Sequence, residues 1–207
     1  MGTTPTMGIP FPESTDPVAN GAQNMEDLAT AVDSVSGLVK ITPTTVAGTG
    51  VTISAGNVLM AGTGGVASLN GVFSSKFRCY RIVINHTISN QVLYFRLRVA
   101  GSDAITNNYS YGTIYRAYSN AVAGFFNGAN LSTNVIGYGD VNTTSVVTID
   151  VSNPFLTLPT NTTGTCSWSG AGGYVGGYHS LFTSYDGFTI FAASGVMSGE
   201  ISVYGYN

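Results

Sequence analysis

Side chains that commonly carry out catalysis are few in this chain and widely spaced. There are two histidines, His86 and His179, and neither a Gly-x-Ser-x-Gly nor a His-Glu-x-x-His motif occurs. A glycosidase places two carboxylates across a groove, and the carboxylates beyond the N-terminal region are spread thinly: Asp103, Asp140, Asp150, Asp186 and Glu200. We therefore predict that the protein is not an enzyme and has no catalytic residues.

Two further patterns could indicate a cofactor or a metal, and neither is convincing. Residues 62–67 (Gly-Thr-Gly-Gly-Val-Ala) fit a G-x-G-x-x-A nucleotide fingerprint, but another turn sequence follows them where a helix would be needed. Cys79 and Cys166 lie far apart and have no neighbours with the spacing of zinc ligands. We predict two free, buried thiols, no cofactor and no metal site.

Aromatic residues are a better functional lead, because they cluster in two segments that are also rich in Asn, Ser and Gly. Such mixtures combine apolar area with adaptable hydrogen bonding, which suits sugar rings and protein interfaces alike. The alternative is that these rings fill the core or a subunit interface. The candidate saccharide platform consists of Tyr109, Tyr111, Tyr115, Tyr118, Trp168, Tyr174 and Tyr178.

Composition narrows the class of protein. Of 207 residues only 8 % are charged and 43 % are hydrophobic, and the chain has 27 glycines, 12 tyrosines and 10 phenylalanines. This composition favours strands and turns over helices. Seven lysines and arginines at a net charge of −3 cannot form a large basic face, so nucleic acid is not an expected partner. No apolar run is long enough to predict membrane insertion, and no signal peptide pattern is visible.

The first 36 residues predict an extended arm and one short helix. Four prolines within residues 1–17 disfavour a helix there, whereas residues 18–36 carry a helical pattern. Either this helix packs on its own domain, or it forms a short parallel bundle between subunits. The apolar seam that would line such a homotrimer consists of Val18, Met25, Leu28, Val32 and Val35.

The rest of the chain predicts β structure. Residues 37–75 are rich in Gly, Thr and Val, which indicates a β connector made of short strands and turns. Residues 76–207 contain about eight segments with period-2 alternation, typical of an antiparallel, jelly-roll-like β-sandwich. In the segment 92–99, Leu93, Phe95, Leu97 and Val99 should face the core, while Arg96 and Arg98 should point away and either meet acids of a neighbouring subunit or remain solvated.

Several stretches of the sequence are similar to known proteins. The opening GIPFPESTDPVANGAQNMEDLATAVDS resembles the start of small tail-fibre or minor tail proteins of tailed bacteriophages. The stretches FRCYRIVIN, LYFRLRVAGSDAITNNYSYG, IDVSNPF and SGEISVYGYN resemble the β domains of such proteins. The resemblance implies a virion surface protein that is commonly a homotrimer and assembles in the host cytoplasm. Residues 1–36 would attach it to other virion proteins, and the β domain would face outward.

Three hypotheses follow from this resemblance. The first is a tail-fibre or minor tail protein whose β domain binds saccharide on the host cell surface. The second is a head-decoration protein that stabilises the capsid. The third, from a different class, is a depolymerase that degrades host glycan. A plain sugar-binding module outside virions is a further alternative.

Overall fold

The structure of the protein is a computed structural model that describes residues 2–3, 10–11, 21, 23–28, 37–88, 91–119, 123–140 and 143–207. The chain forms two units, Met1–Val39 and Lys40–Asn207. The larger unit contains the predicted β domain and the candidate site.

The smaller unit contains a short β ribbon and helical residues. Strands β1 (Gly2–Thr3) and β2 (Pro10–Phe11) pair antiparallel, so part of the predicted arm is extended and paired. Residues 21 and 23–28 are helical, and the side chain of Gln23 donates a 2.9 Å hydrogen bond to Asp27 one turn later. Within the predicted seam, Met25 is exposed and Leu28 is half-buried. Val18, Val32 and Val35 lie outside the described residues.

In the part of residues 37–207 that the structure describes there are sixteen further strands, most of them joined by connections of a few residues. Their bounds are β3 (Val39–Ile41), β4 (Thr45–Ala47), β5 (Val51–Ser54), β6 (Asn57–Thr63), β7 (Val66–Asn70), β8 (Cys79–Ile88), β9 (Val92–Val99), β10 (Ser102–Asp103), β11 (Tyr109–Ala117), β12 (Ala123–Leu131), β13 (Asn134–Tyr138), β14 (Ser145–Ser152), β15 (Thr160–Trp168), β16 (Ala171–His179), β17 (Gly187–Ala192) and β18 (Met197–Tyr206). Residues 62–67 run from the end of β6 into β7, which is a strand connection and not a strand-to-helix turn.

These strands form two antiparallel sheets. The ten-stranded sheet has the order β12-β11-β16-β15-β14-β8-β18-β6-β5, with β3 beside β18. The six-stranded sheet has the order β10-β9-β17-β7-β4, with β13 beside β9. The predicted fold class, a mainly β antiparallel sandwich, is therefore confirmed.

The segment predicted as a separate connector differs from that prediction. Residues 37–75 supply β5 and β6 to the ten-stranded sheet and β4 and β7 to the six-stranded sheet. Leu69 and Val58 in this segment are completely buried. The segment belongs to the sandwich because its short strands bury apolar side chains that the other strands alone would leave exposed.

The core lies between the two sheets. Phe73 joins them, since its ring lies 4.7 Å from Tyr80 of one sheet and 5.8 Å from Phe188 of the other, measured between ring centroids. The predicted inward residues Leu93, Phe95 and Leu97 are all buried. Val99 was predicted to join them but is 39 % exposed, because the core ends before the strand does.

Candidate functional site

The candidate site is on the outer face of the ten-stranded sheet, the side away from the core. Strand β16 places Val175 and His179 in the interior. The intervening positions, Gly172, Tyr174, Gly176 and Tyr178, therefore face outward, since side chains alternate along a strand. Tyrosine and glycine thus alternate along the outward face of β16.

The pairing register of β16 with its neighbouring strands determines which side chains surround Tyr174. Directly opposite residues in an antiparallel ladder share a face. Tyr174 pairs with Ile114 of β11 and with Thr165 of β15, and Ile114 in turn pairs with Phe125 of β12. Tyr174, Ile114 and Phe125 are 74 %, 66 % and 72 % exposed, so they form an apolar row across three strands.

Beside the tyrosines of β16, strand β15 presents a row of neutral hydrogen-bonding groups. Its outward residues alternate with the buried Thr162 and Cys166. All four are exposed, and all carry a hydroxyl or amide group: Asn161, Thr163, Thr165 and Ser167. The outer face therefore combines aromatic rings with hydrogen-bonding side chains on adjacent strands.

Tyr118 adds a third tyrosine to this face, and both its backbone and its hydroxyl group are held by hydrogen bonds. Its backbone N–H donates to the carbonyl of Gly170 over 3.0 Å, and its hydroxyl group forms a 2.9 Å hydrogen bond with Oγ of Ser167. The side chain crosses Gly172, where an added Cβ would lie only 2.8 Å from the Tyr118 hydroxyl oxygen. The ring nevertheless remains 64 % exposed, so it is both positioned and accessible.

Two open grooves lie on this face where glycines take the place of larger side chains. The larger, of about 720 Å³, lies between Tyr118 and Tyr174 and is floored by Gly172 and Gly173, with Arg116 on its wall. The smaller, of about 430 Å³, lies beside Tyr178, and its lining residues include Gly112 and Gly176. In both grooves a missing side chain leaves the backbone accessible between exposed rings.

The structure divides the seven aromatic residues predicted from the sequence into three groups, of which the buried Tyr109 alone forms the third. Tyr118, Tyr174 and Tyr178 lie together on the outer face. Tyr111, Tyr115 and Trp168 point to the inner face and are half-buried, since each occupies an inward position of its strand. That platform is therefore smaller than predicted.

Tyr109 is a core residue and does not belong to the site. It is completely buried, and its hydroxyl group accepts from the N–H of Leu97 (2.9 Å) and donates to the carbonyl of Ala104 (3.1 Å). Burial raises the pKa of this phenol above its usual range. Its role is to join β11 to β9 through the core.

The inward rings form a second aromatic cluster. Tyr115 stacks on Phe126 at 5.4 Å and lies 5.3 Å from Trp168, which is 5.6 Å from Tyr138. The Tyr115 ring also covers Gly124, its partner on β12, so closely that the position has no room for a Cβ. This cluster stabilises the end of the sheet where β12 is the edge strand.

The predicted roles of Arg96 and Arg98 are corrected, because both meet an acid of their own chain. Arg98 is buried and forms an ion pair with Asp103, and Arg96 lies 3.8 Å from the same carboxylate. Arg98 also donates to Thr189 and Asn70 on the neighbouring strands. A guanidinium group with this many partners is a structural element of the six-stranded sheet.

The two cysteines are free, as predicted, and lie on opposite faces of the ten-stranded sheet. Cys166 is buried on the inner face, where burial raises the pKa of its thiol to about 11. Cys79 pairs with Ser152 on the outer face and is half-buried, which corrects the prediction that both are buried. Within the described residues, no group of three or more His, Cys, Asp or Glu side chains is arranged to hold a metal ion.

Several residues of the site were missed by the sequence analysis. Gly172, Gly176, Thr163 and Thr165 were not singled out, although period-2 alternation is visible in AGGYVGGYH and TNTTGTCSW. Ser167, in contrast, was predicted from the sequence as a hydrogen-bond partner of the platform. Among the described residues, no helix has the length and apolar character needed to span a bilayer. No known family model and no curated protein sequence matches the chain.

Proposed function

We propose that the protein is a structural protein of a tailed bacteriophage virion, of tail-fibre or minor-tail type, whose β domain binds host surface saccharide. Its resemblance to such proteins supports the first part of the proposal. The second part rests on one observation, the composition of the outer face. There, exposed Tyr174 and Tyr178 alternate with glycines beside a row of neutral hydrogen-bonding side chains, and the ring of Tyr118 lies next to them.

The chemistry of this face suits sugars. The faces of pyranose rings are apolar and pack on aromatic rings, while their hydroxyl groups need donors and acceptors placed at the edge. Thr165 and Ser167 provide such groups on the strand next to Tyr174. The grooves are open and shallow, which favours a chain of sugar units lying along the face over one enclosed small molecule.

We propose binding without catalysis at this face. Asp150 is the outward carboxylate of β14, and it is engaged by Arg81 through two hydrogen bonds of 2.9 and 2.8 Å. Glu200 lies on β18, two strands beyond β14. No carboxylate is among the described residues that line the larger groove, so these residues offer no pair suited to glycoside hydrolysis around a sugar bound between Tyr118 and Tyr174.

Within the virion, we propose that residues 1–36 attach the protein to other virion proteins and contribute to a homotrimer. Head decoration is the second candidate for its location. The exposed apolar row of Phe125, Ile114 and Tyr174 favours that candidate, since such a row also suits contact with another protein. Immunogold labelling of intact particles would distinguish the tail from the head.

Saccharide binding is tested with a glycan array and a matched pair of variants. Tyr174→Ala removes the central ring of the site, whereas Tyr204→Ala removes an outward ring on β18, four strands away on the same sheet. We expect the wild type and Tyr204→Ala to bind the same saccharides and Tyr174→Ala to lose them at least tenfold. The absence of saccharide binding by the wild-type oligomer would contradict the function.

A further inference from the structure

Arg116 is the one cation in the larger groove. Of the chain's seven lysines and arginines, no other lines it. The side chain is exposed and points outward, in the row next to Ile114 and Tyr174. It therefore gives a groove whose other described lining residues are uncharged a single positive charge.

The register of the sheet explains why this charge lacks a partner among the residues that the structure describes. Directly opposite Arg116 are Gly172 on β16 and Ala123 on β12, and neither residue type carries a side-chain acceptor. No ion pair or side-chain hydrogen bond of Arg116 is formed with the described residues. The glycine that opens the groove is also the residue that leaves the guanidinium group unpaired.

Asp150 and Asp140 do not line the groove, and both have partners of their own. Asp150 lies three strands away, about 14 Å across the sheet, and is paired with Arg81. Asp140 accepts a hydrogen bond from Ser169 at the turn between β15 and β16. At physiological ionic strength the Debye length is about 8 Å, so Asp150 does little to neutralise Arg116.

A guanidinium group offers a planar pair of N–H donors that matches a carboxylate or a phosphate better than it matches a sugar hydroxyl. Here that group lines the same groove as Tyr118 and Tyr174, within reach of a ring that packs on either tyrosine. The groove thus combines a surface for the sugar ring with a donor pair for an anion attached to it.

We propose that the ligand of this groove is a saccharide with an anionic substituent, either a carboxylate or a phosphate, and that Arg116 is the residue that selects it. This inference rests on the proposed saccharide-binding function. It adds a specificity that the aromatic rings alone cannot provide, because stacking does not distinguish an acidic sugar from its neutral counterpart.

The test uses an array of bacterial surface saccharides that includes neutral, uronic-acid-containing and phosphate-substituted forms. Each uronic-acid saccharide is printed beside its carboxyl-reduced form, so that the members of a pair differ only in the charged group. We expect the wild type to bind acidic members about tenfold more tightly than neutral ones, an effect of the size expected for a charge-assisted hydrogen-bonded pair at a solvated site. The carboxylate and phosphate arms show which anion is preferred.

Three variants assign the preference to Arg116. Arg116→Gln should bind the acidic and reduced forms equally, and Arg116→Lys should keep part of the preference, since it retains the charge but not the planar donor pair. Arg78→Gln makes the same change at an exposed arginine outside the groove and should behave like the wild type. Circular dichroism spectra that match the wild type establish that each variant is folded.

The outcomes separate this inference from the function on which it rests. Binding of saccharides that depends on Tyr174 but shows no preference for acidic forms would overturn the inference and leave the function standing. An acidic preference that survives Arg116→Gln would also overturn it. The absence of binding to any saccharide would overturn both.

Discussion

The hydroxyl group of Tyr118 lies 2.9 Å from Oγ of Ser167. To reach it, the Tyr118 side chain crosses Gly172, which belongs to the strand between the two residues. Tyr118 follows β11 and Ser167 lies on β15, so this hydrogen bond spans β16 on its outer side. The exposed ring is therefore fixed by a contact that exists only because position 172 has no side chain. The geometry of the larger groove depends on that absence.

The first prediction concerns this glycine. Gly172→Ala places a methyl group 2.8 Å from the Tyr118 hydroxyl oxygen, so the flexible end of that side chain must move. We expect saccharide binding to fall about tenfold, with a melting temperature close to that of the wild type. Gly64→Ala is the control, because its methyl group would meet nothing within 4 Å and because Gly64 lines neither groove. Equal binding by the two variants would contradict the proposed role of Tyr118.

The second prediction compares two ion pairs of unequal burial. The Arg98 side chain is 10 % exposed and that of Arg81 is 39 % exposed. Asp103→Ala leaves the buried Arg98 charge unpaired and should lower the free energy of unfolding by about 3 kcal/mol. Asp150→Ala removes a solvated pair and should lower it by less than about 1 kcal/mol. Urea denaturation measures the free energy of unfolding of both variants. Equal losses would contradict the conclusion that the buried Arg98–Asp103 pair stabilises the protein more than the Arg81–Asp150 pair does.

Mild acid should destabilise the sandwich through its two histidines. Burial lowers the pKa of both His86 and His179 to about 4. The folded-state pKa lies below the unfolded value of about 6.5, so between these values the unfolded state binds more protons and stability falls as the pH falls. From about pH 7.5 to about pH 5 the loss should be about 2 kcal/mol per histidine.

The control for this effect is His86→Met, because the methionine side chain is apolar and does not titrate. Its free energy of unfolding, measured by urea denaturation at the same two pH values, should fall by about half as much as that of the wild type. A loss identical to the wild-type loss would show that His86 does not contribute to the pH dependence.

The fourth prediction uses the single tryptophan as a reporter of the inner aromatic cluster. Trp168 packs against Tyr115, whose ring also covers Gly124. Tyr115→Leu should shift the fluorescence emission of Trp168 to longer wavelength and lower the free energy of unfolding by about 2 kcal/mol. Tyr204→Leu, on the far side of the sheet, should leave the emission unchanged. An unshifted spectrum in Tyr115→Leu would contradict the contact.

The fifth prediction concerns assembly. If residues 18–36 form a bundle between subunits, the exposed Met25 and half-buried Leu28 are covered in the homotrimer. Met25→Asp combined with Leu28→Asp would place unpaired charges in that seam, so the trimer should dissociate. Sedimentation equilibrium measures the mass. A trimer that persists in the double variant would exclude this role for the helix, and a monomeric wild type would exclude the oligomer.

The fold class was predictable because alternation is a direct consequence of strand geometry. In Leu93–Phe95–Leu97 the pattern identified the buried face correctly. It failed at Val99, since a sequence pattern does not show where the opposite sheet ends. The assignment of residues 37–75 failed for a related reason, because short strands with weak alternation give no sign of the sheet that they join.

The candidate site was only partly predictable. Tyrosine suits a core as well as a surface, so composition could not separate Tyr109 from Tyr174. Register with neighbouring strands separates them, and register is a long-range property. The positions of Arg96 and Arg98 show the same limit, because their partner Asp103 is reached only once the chain has turned back on itself after β9.

The alternation along β15 and β16 also bears on how such a protein evolves. Every outward position on these strands can be replaced while the inward residues, and hence the packing of the sandwich, remain as they are. Single substitutions at Thr163, Thr165 or Tyr178 can therefore alter the recognised surface one contact at a time, on a scaffold that does not have to be rebuilt. Under the proposed saccharide-binding function, a lineage with this architecture would follow changes in the recognised saccharides through point mutations, without recombination of whole domains.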